Sequence, residues 1–181
     1  MNSVARLEPL FTADDIAARL ETLAGEIAAV MPADFAAIAI LKGSFVFAAD
    51  LIRSLIVRDV NPEVDFVTLA SYGTATVSSG TVKLLRDVEI PVAGREVLLI
   101  DDILDSGRTI AFARRHMLDK GAKAVKVCVL LDKTAGRKDG AALADFAGFP
   151  CPPEFVVGYG MDHAHKFRGL PFIAILSQSE S

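Results

Sequence analysis

Two adjacent carboxylates, with a third close behind them, are the residues whose types and spacing point most clearly to chemistry. Asp101 and Asp102 come directly after an apolar run at 97–100, and Asp105 follows. Such a pair suits the vicinal hydroxyl groups of a ribose, which donate hydrogen bonds to carboxylates, or a hydrated magnesium ion. Asp is also an ordinary helix-cap residue, but three acids around one turn repel one another. The pattern therefore favours a functional role over capping.

The turn after these acids, residues 105–109, has the composition of a phosphate site. It leads into a helix predicted over 110–120. A helix N-terminus leaves backbone N–H groups unpaired and carries partial positive charge, while Ser106 and Thr109 add hydroxyl donors and Gly107 permits close approach. The turn contains neither the P-loop pattern nor the glycine pattern of dinucleotide sites. Residue types and spacing thus predict a ribose-phosphate site and nothing more specific.

A lysine and a glycine follow another apolar run. Ala36–Leu41 leads directly into Lys42 and Gly43. Lys42 could be a solvated turn residue, but the carboxyl end of a strand is where parallel sheets place their ligand contacts. The sequence therefore favours a ligand contact at this turn.

The histidines give weaker signals. His163 and His165 resemble a metal-binding pair, but no third ligand is evident in the sequence, so we expect both at the surface. His116 falls on a predicted helix without an evident nucleophile beside it. We expect it to be a surface residue or one with a satisfied hydrogen bond.

Strand and helix patterns alternate along the chain. Thr12 and Asp15 resemble a capping box before an amphipathic helix that ends near Pro32, and a second helix continues through Leu55. Strands are predicted at 36–41, 64–70, 97–100, 124–131, 155–157 and 172–176. This alternation predicts an α/β fold with a mainly parallel twisted sheet flanked by helices, which binds ligands beyond the carboxyl ends of its strands.

Two segments lack such patterns. Residues 71–80 are small and polar and have no apolar period, so we predict a mobile loop there. A loop of this kind could close over a reacting site and exclude water. The tail, residues 177–181, is predicted to be disordered.

Composition and charge limit the classes of partner. The 181 residues are 52% hydrophobic, which favours one domain over 1–181. A net charge of -4 argues against nucleic acid or an anionic membrane as the main partner. The absence of a leader pattern and of a long apolar window predicts a cytoplasmic protein. Cys128 and Cys151 have neither a disulfide framework nor metal-ligand spacing, so we expect buried or incidental thiols.

The combination of these motifs resembles the hypoxanthine-guanine phosphoribosyltransferase family. The family signature is an apolar strand, two acids, two apolar residues, then Asp, Ser or Thr, Gly and a later Thr, as at 97–109 here. Four further segments occur in the family's order: Leu41-Lys42-Gly43, Val64-Asp65-Phe66 leading to Ser71-Tyr72-Gly73, Leu130-Leu131-Asp132-Lys133, and Phe155-Val156-Val157-Gly158-Tyr159-Gly160-Met161-Asp162. The resemblance covers the chain from about residue 36 to its end.

The resemblance implies the fold and the ribose-phosphate contacts. The fold would be the type I phosphoribosyltransferase fold, with a small hood formed by the terminal segments. Asp101 and Asp102 would hold the ribose hydroxyls and a magnesium ion shared with pyrophosphate. Asp105 would lie near N7 of the purine, as a proton acceptor or as a stabiliser of charge. The 5′-phosphate would be bound, largely through backbone N–H groups, by Ser106, Gly107, Arg108 and Thr109.

The resemblance also implies how pyrophosphate is bound and how the site closes. Lys42 and Gly43 would approach pyrophosphate, in a family where the peptide bond before the lysine can be cis. Arg168 would contact pyrophosphate as well, and Asp162 would reach a second magnesium ion through water. Ser71 and Tyr72 would belong to the lid.

For the purine, the resemblance implies three contacts. Lys133 would donate to O6 of the base, Phe155 would stack on its ring, and Val156 would contact it through the backbone. Without the resemblance, Phe155 would be predicted as a core residue, because aromatic residues dominate cores.

The implied activity is the transfer of a phosphoribosyl group from phosphoribosyl pyrophosphate to hypoxanthine or guanine, with Mg²⁺ as cofactor. A homodimer or homotetramer is expected from the family. Two alternatives stay open: a preference for xanthine, and a regulator that senses a nucleotide on the same fold. The sequence departs from the family at Asp101, commonly Glu, and at His163-Ala164-His165, where Tyr or Asn and a Glu are usual.

Overall fold

The computed structural model describes residues 5–74, 77–133 and 143–178. The elements are β1 Ala5–Phe11, α1 Ala13–Ala28, β2 Ala36–Leu41, α2 Phe45–Ile56, β3 Glu63–Thr74, β4 Val77–Arg86, β5 Glu96–Leu104, α3 Arg108–Asp119, β6 Ala124–Asp132, β7 Phe146–Pro150, β8 Val156–Val157 and β9 Ile173–Gln178. Within these ranges, no helix combines the length and the apolar character that crossing a membrane would require.

The main sheet has the strand order β4-β3-β2-β5-β6-β7. Its strands pair in parallel except for β4, which is antiparallel to β3 at one edge. From β2 the chain passes to β3 on one side, and β5 is later added on the other side of β2. The carboxyl ends of β2 and β5 therefore flank a topological switch point, where open sheets of this kind bind ligands. The predicted α/β fold with a mainly parallel sheet is confirmed.

Helices cover both faces of this sheet. Helices α1 and α2 pack on one face through residues that include Leu23 and Phe47, and α3 packs on the other through Ile110 and Met117. Because both faces are covered, β2 and the first part of β5 are buried on both sides. This burial is why the two strands appear in the sequence as uninterrupted apolar runs.

A small second sheet, with the order β1-β9-β8, is the hood that the resemblance implied. Strand β9 is antiparallel to both of its neighbours. Val156 and Ile173 join the hydrophobic cluster that contains α1 and α2. The hood therefore connects the two terminal segments of the chain to the hydrophobic core beneath α1 and α2.

The prediction of a mobile loop at 71–80 is wrong in its secondary structure. Residues 71–74 and 77–80 belong to β3 and β4, with Ser71 paired to Val82 and Thr74 to Val77. Thr and Val favour extended backbone, and cross-strand pairing does not require apolar alternation at an exposed edge. Residues 75 and 76 lie outside the described residues.

The other local predictions have mixed outcomes. The capping box of α1 is confirmed, because the Asp15 N–H donates to Thr12 Oγ1 at 3.1 Å and the Thr12 N–H donates to Asp15 Oδ2 at 2.9 Å.

The prediction of a disordered tail is wrong for Ser177 and Gln178, which belong to β9 and pair with β1. Residues 179–181 lie outside the described residues. Strands β1, β4 and β7 were not predicted.

Candidate active site

The two adjacent acids lie at the carboxyl end of β5, where the strand leaves the core. Asp101 is buried, with 6% of its surface exposed, and Asp102 is partly buried. Backbone N–H groups of Asp102 and Ile103 donate to Asp101 Oδ1 and Asp102 Oδ1, each at 3.0 Å. Burial raises the pKa of both carboxyl groups, and the charge of Asp102 raises the pKa of Asp101 further. A cation or hydroxyl donors from a ligand would stabilise such a pair.

The turn that follows the acids opens helix α3. Gly107 is the N-cap residue and has φ 77°, in the left-handed region that glycine adopts without steric cost. Gly107 has no side chain that could cap the helix, and the Arg108 N–H donates to Ser106 Oγ only at the long distance of 3.5 Å. The positive end of the helix dipole at this turn favours an anion. Asp105, Ser106 and Arg108 are exposed around this turn and Thr109 is partly buried. The geometry has the features of the predicted phosphate site.

The Lys42–Gly43 turn packs directly against the acid pair. Lys42 is exposed at the end of β2, and the Leu41–Lys42 peptide bond is cis. The fully buried Ser44 donates its hydroxyl to the Ile40 carbonyl at 2.6 Å, which fixes the start of α2. A Cβ atom at Gly43 would overlap the Asp102 carboxylate. Two turns that are far apart in sequence therefore meet at the switch point.

Asp162 and Arg168 form an ion pair beside this turn. Arg168 Nη2 lies 2.6 Å from Asp162 Oδ1, and Arg168 Nη1 donates to the Gly160 carbonyl at 2.6 Å. Burial raises the pKa of Asp102, and the positive charge of Arg168 opposes this rise. The residues predicted to contact pyrophosphate and a second metal ion therefore lie next to each other and close to the acid pair.

Lys133 lies at the end of β6, beside the end of β5. Its backbone N–H donates to the Leu104 carbonyl at 2.9 Å. Burial raises the pKa of the Cys151 thiol, while Lys133 lowers it and Asp105 raises it through their charges. Lys133 and Asp105 are thus both close enough to one buried thiol to influence it by charge.

Phe155 precedes β8 and is 54% exposed, so a core position for it would have been wrong. The ring of His163 meets it edge-on, with centroids 5.6 Å apart and an interplanar angle of 81°. Val156 is buried and pairs with Ile175 of the hood. An exposed aromatic face beside a binding site has the geometry required for stacking on a planar ligand. The contact between Phe155 and His163 was not predicted from the sequence.

The histidines otherwise lie where the sequence predicted. His163 and His165 are exposed. Among the described residues, no three His, Cys, Asp or Glu side chains are grouped as a metal site. His116 Nε2 lies 2.8 Å from Asp87 Oδ1, and Lys120 Nζ donates to Asp87 Oδ2 at 2.9 Å. Burial raises the pKa of Asp87, but these two contacts and a hydrogen bond from the Val88 N–H outweigh it and lower that pKa to about 2.

A cavity of about 720 Å³ lies between α1, α2 and residues 168–171. Its lining contains Arg168 but not Lys42, Lys133, Phe155 or either member of the acid pair. Asp50 and Tyr159 also line it. We therefore assign the chemistry to the switch point and not to this cavity.

The acid pair fits a magnesium ion. Its two carboxylates are hard oxygen donors, and burial raises the pKa of both, so a bound cation would stabilise their charged forms. Magnesium is commonly bound by one or two carboxylates together with water and substrate phosphates. Ser71 and Tyr72 lie on β3, and their role in a lid stays a prediction.

Comparison with known proteins gives consistent results. The family model of the phosphoribosyl transferase domain matches residues 13–164. A hypoxanthine-guanine phosphoribosyltransferase of Bacillus subtilis (strain 168) is 42% identical over 168 residues, which are 92% of this chain and 91% of that protein.

Solved structures agree with this result. A hypoxanthine-guanine phosphoribosyltransferase from Bacillus anthracis has a TM-score of 0.86 at 40% identity, covering 94% of this chain and 98% of that one. A hypoxanthine phosphoribosyl transferase of Trypanosoma cruzi, studied for the role of its C-terminal region in oligomeric state and activity, has a TM-score of 0.85 at 34% identity, covering 94% and 91%. Fold, motifs and similarity over nearly the whole chain agree, and the chain belongs to the hypoxanthine-guanine phosphoribosyltransferase family.

Proposed function

We propose that this protein transfers the 5-phosphoribosyl group of phosphoribosyl pyrophosphate to hypoxanthine or guanine, giving IMP or GMP and pyrophosphate. One observation carries the proposal. The adjacent acids Asp101 and Asp102, the glycine-capped N-terminus of α3 and the Lys42–Gly43 turn meet at the switch point of the sheet. These groups match a ribose diol, a 5′-phosphate and a pyrophosphate, in that order.

The chemistry is a substitution at C1 of the ribose. The bond from C1 to a pyrophosphate oxygen breaks while a bond to a purine nitrogen forms, and the purine loses a proton. Positive charge develops on the ribose ring and negative charge on the leaving group. Asp101 and Asp102 favour the first, and Lys42 and Arg168 the second, so electrostatic stabilisation by fixed groups supplies much of the rate.

Asp101 and Asp102 would hold the magnesium ion. When bound, the ion would neutralise charge on pyrophosphate. Asp162 and Arg168, which pair with each other at 2.6 Å, have the charges to exchange that contact for a hydrated cation and for pyrophosphate, respectively. The same two residues would then serve binding and release of the charged substrate.

The purine would be bound by residues close to Cys151 and to β8. Phe155 would stack on the ring, Val156 would contact its edge through the backbone, and Lys133 would donate to O6. Asp105 would lie near N7, where a carboxylate can accept a proton or stabilise positive charge. Lid closure over the reacting ribose by the β3–β4 hairpin, which carries Ser71 and Tyr72, would exclude water.

We also propose a homodimer or homotetramer in the cytoplasm. Val64 and Phe66 of β3 are exposed apolar residues on the face of the strand opposite to that of the buried Val67. Phe45 and Ile56 of α2 are exposed apolar residues as well. Exposed apolar side chains on two elements that both contact β2 support a subunit interface. Two free, buried cysteines agree with a reducing compartment.

Asp105→Asn tests the proposal and separates a transferase from a nucleotide-sensing regulator. We expect turnover of hypoxanthine to fall by about 100-fold or more, because the amide cannot accept the proton, while binding of phosphoribosyl pyrophosphate stays close to native. Steady-state kinetics and calorimetric titration measure the two effects. Asp119→Asn, on an exposed carboxylate paired with Arg115, is the matched control. Native turnover in Asp105→Asn would remove this residue from catalysis.

A further inference from the structure

Residues 158–161 form a tight hairpin between β8 and Asp162. The Gly158 N–H donates to the Met161 carbonyl at 3.1 Å, and the Met161 N–H donates back at 3.0 Å. The central residues, Tyr159 and Gly160, have φ values of 48° and 103°. Positive φ at both positions defines a type I′ turn. Glycine adopts this backbone freely, whereas tyrosine keeps it only where surrounding contacts hold it.

The side chain of Tyr159 is held by helix α2. It is 6% exposed, and its Oη donates to Asp50 Oδ2 at 2.7 Å. Burial raises the pKa of Tyr159, and the Asp50 carboxylate raises it further, so the phenol stays protonated and can donate. The other oxygen of Asp50 pairs with the exposed Arg53 at 2.7 Å.

The same hairpin contacts the Lys42–Gly43 turn. A Cβ atom at Gly160 would overlap the Gly43 carbonyl oxygen, and Gly43 itself packs against Asp102. On its other side, the Gly160 carbonyl accepts from Arg168. One series of contacts therefore runs from the acid pair through Gly43 and Gly160 to Arg168.

We propose that Tyr159 and Asp50 are positioning residues that fix the Lys42–Gly43 turn relative to the Asp162–Arg168 pair, and so set the affinity for phosphoribosyl pyrophosphate. Helix α2 begins at Phe45, immediately after the turn, so one rigid helix carries both the turn and Asp50. The Tyr159–Asp50 hydrogen bond joins this helix to the hairpin. Neither side chain is assigned a contact with substrate. The inference rests on the proposed function.

The residues proposed to contact the purine are held by contacts that do not involve the Tyr159–Asp50 hydrogen bond. Val156 and Val157 pair with β9, and the Leu176 N–H donates to the Phe155 carbonyl at 2.8 Å. Loss of the Tyr159–Asp50 bond should therefore affect phosphoribosyl pyrophosphate and leave purine binding almost unchanged. A merely structural role would not separate the two substrates.

The experiment compares KM for both substrates in Tyr159→Phe and Asp50→Ala. Each change should raise KM for phosphoribosyl pyrophosphate by roughly tenfold, since small displacements of binding groups have large effects, and leave KM for hypoxanthine within about twofold. The double variant should be no worse than either single variant, because both remove one shared bond. Asp50→Asn keeps an acceptor oxygen and should remain near native, as should Arg53→Ala.

Equal increases in both KM values, native KM values in Tyr159→Phe, or fully additive effects in the double variant would each overturn the inference. Asp50→Ala replaces Tyr159→Phe if the latter does not fold, which thermal melting reveals. Calorimetric titration with magnesium and phosphoribosyl pyrophosphate, without purine, repeats the comparison. If the native protein binds this ligand but converts no purine, the proposed function fails, and the inference is decided by the titration alone.

Discussion

The native protein should use adenine at least about 10,000-fold less efficiently than hypoxanthine, because a site built around one polar pairing rejects a partner that cannot make it. Protonated lysine is only a donor, and the 6-oxo group of hypoxanthine, guanine or xanthine is an acceptor. Adenine presents an amine at that position, which would leave the ammonium group of Lys133 desolvated and unpaired. The Lys133 N–H donates to the Leu104 carbonyl, so the backbone that carries this lysine is fixed at the end of β5.

The test is a matrix of variants against four bases: hypoxanthine, guanine, xanthine and adenine. Lys133→Ala should lower kcat/KM for the 6-oxopurines and so shrink the discrimination against adenine. Phe155→Ala should weaken all bases alike, because stacking does not depend on the 6-substituent. Lys123→Ala, on an exposed lysine beside Glu96, serves as the control. Comparable use of adenine and hypoxanthine by the native protein would contradict the assignment of Lys133.

Gly43→Ala should lower kcat/KM by roughly 100-fold or more. The added Cβ would overlap the Asp102 carboxylate, so either the turn or the acid must move. A displacement of about 1 Å in a reacting site can cost about 100-fold in rate. Both groups would bind phosphoribosyl pyrophosphate, so its affinity should fall together with turnover.

Gly25→Ala is the matched control for this prediction. Gly25 lies within α1, and the nearest atom to the added methyl group would be Arg58 Nε at 3.6 Å, an ordinary contact. This variant should keep native kinetics and gain about 0.4–1 kcal/mol in free energy of unfolding. Steady-state kinetics and thermal melts compare the two variants. Native activity in Gly43→Ala would show that the turn does not pack against Asp102 in the working enzyme.

Features that depend on burial or on local chemistry could be predicted from the sequence. Strands buried on both faces are continuous apolar runs, so Ala36–Leu41 and the start of β5 were predicted, and with them the edge that carries Lys42 and Asp101. A turn of Asp, Ser, Gly and Thr before a helix has few structural explanations. The resemblance to the family then identified a purine base as a substrate, which residue spacing alone could not do.

The failures concern features that depend on distant parts of the chain. Strand β4 forms only by pairing with β3, and its small polar residues resemble a loop when they are considered alone. Asp50 and Tyr159 are 109 residues apart, and an aspartate on a helix and a tyrosine between glycines give no separate signal of a shared hydrogen bond. The residues alone would have made Phe155 a core residue, and only the family resemblance predicted a contact with the purine; the structure leaves it exposed before β8.

The most direct test of the account is to incubate the purified protein with phosphoribosyl pyrophosphate, hypoxanthine and magnesium, and to quantify IMP and pyrophosphate by chromatography. We predict that the two products form in equal amounts, that GMP replaces IMP when guanine is supplied, and that excess chelator abolishes both reactions. A folded protein that binds phosphoribosyl pyrophosphate but forms neither nucleotide would contradict the proposed transfer, and undiminished turnover in chelator would contradict the role of magnesium.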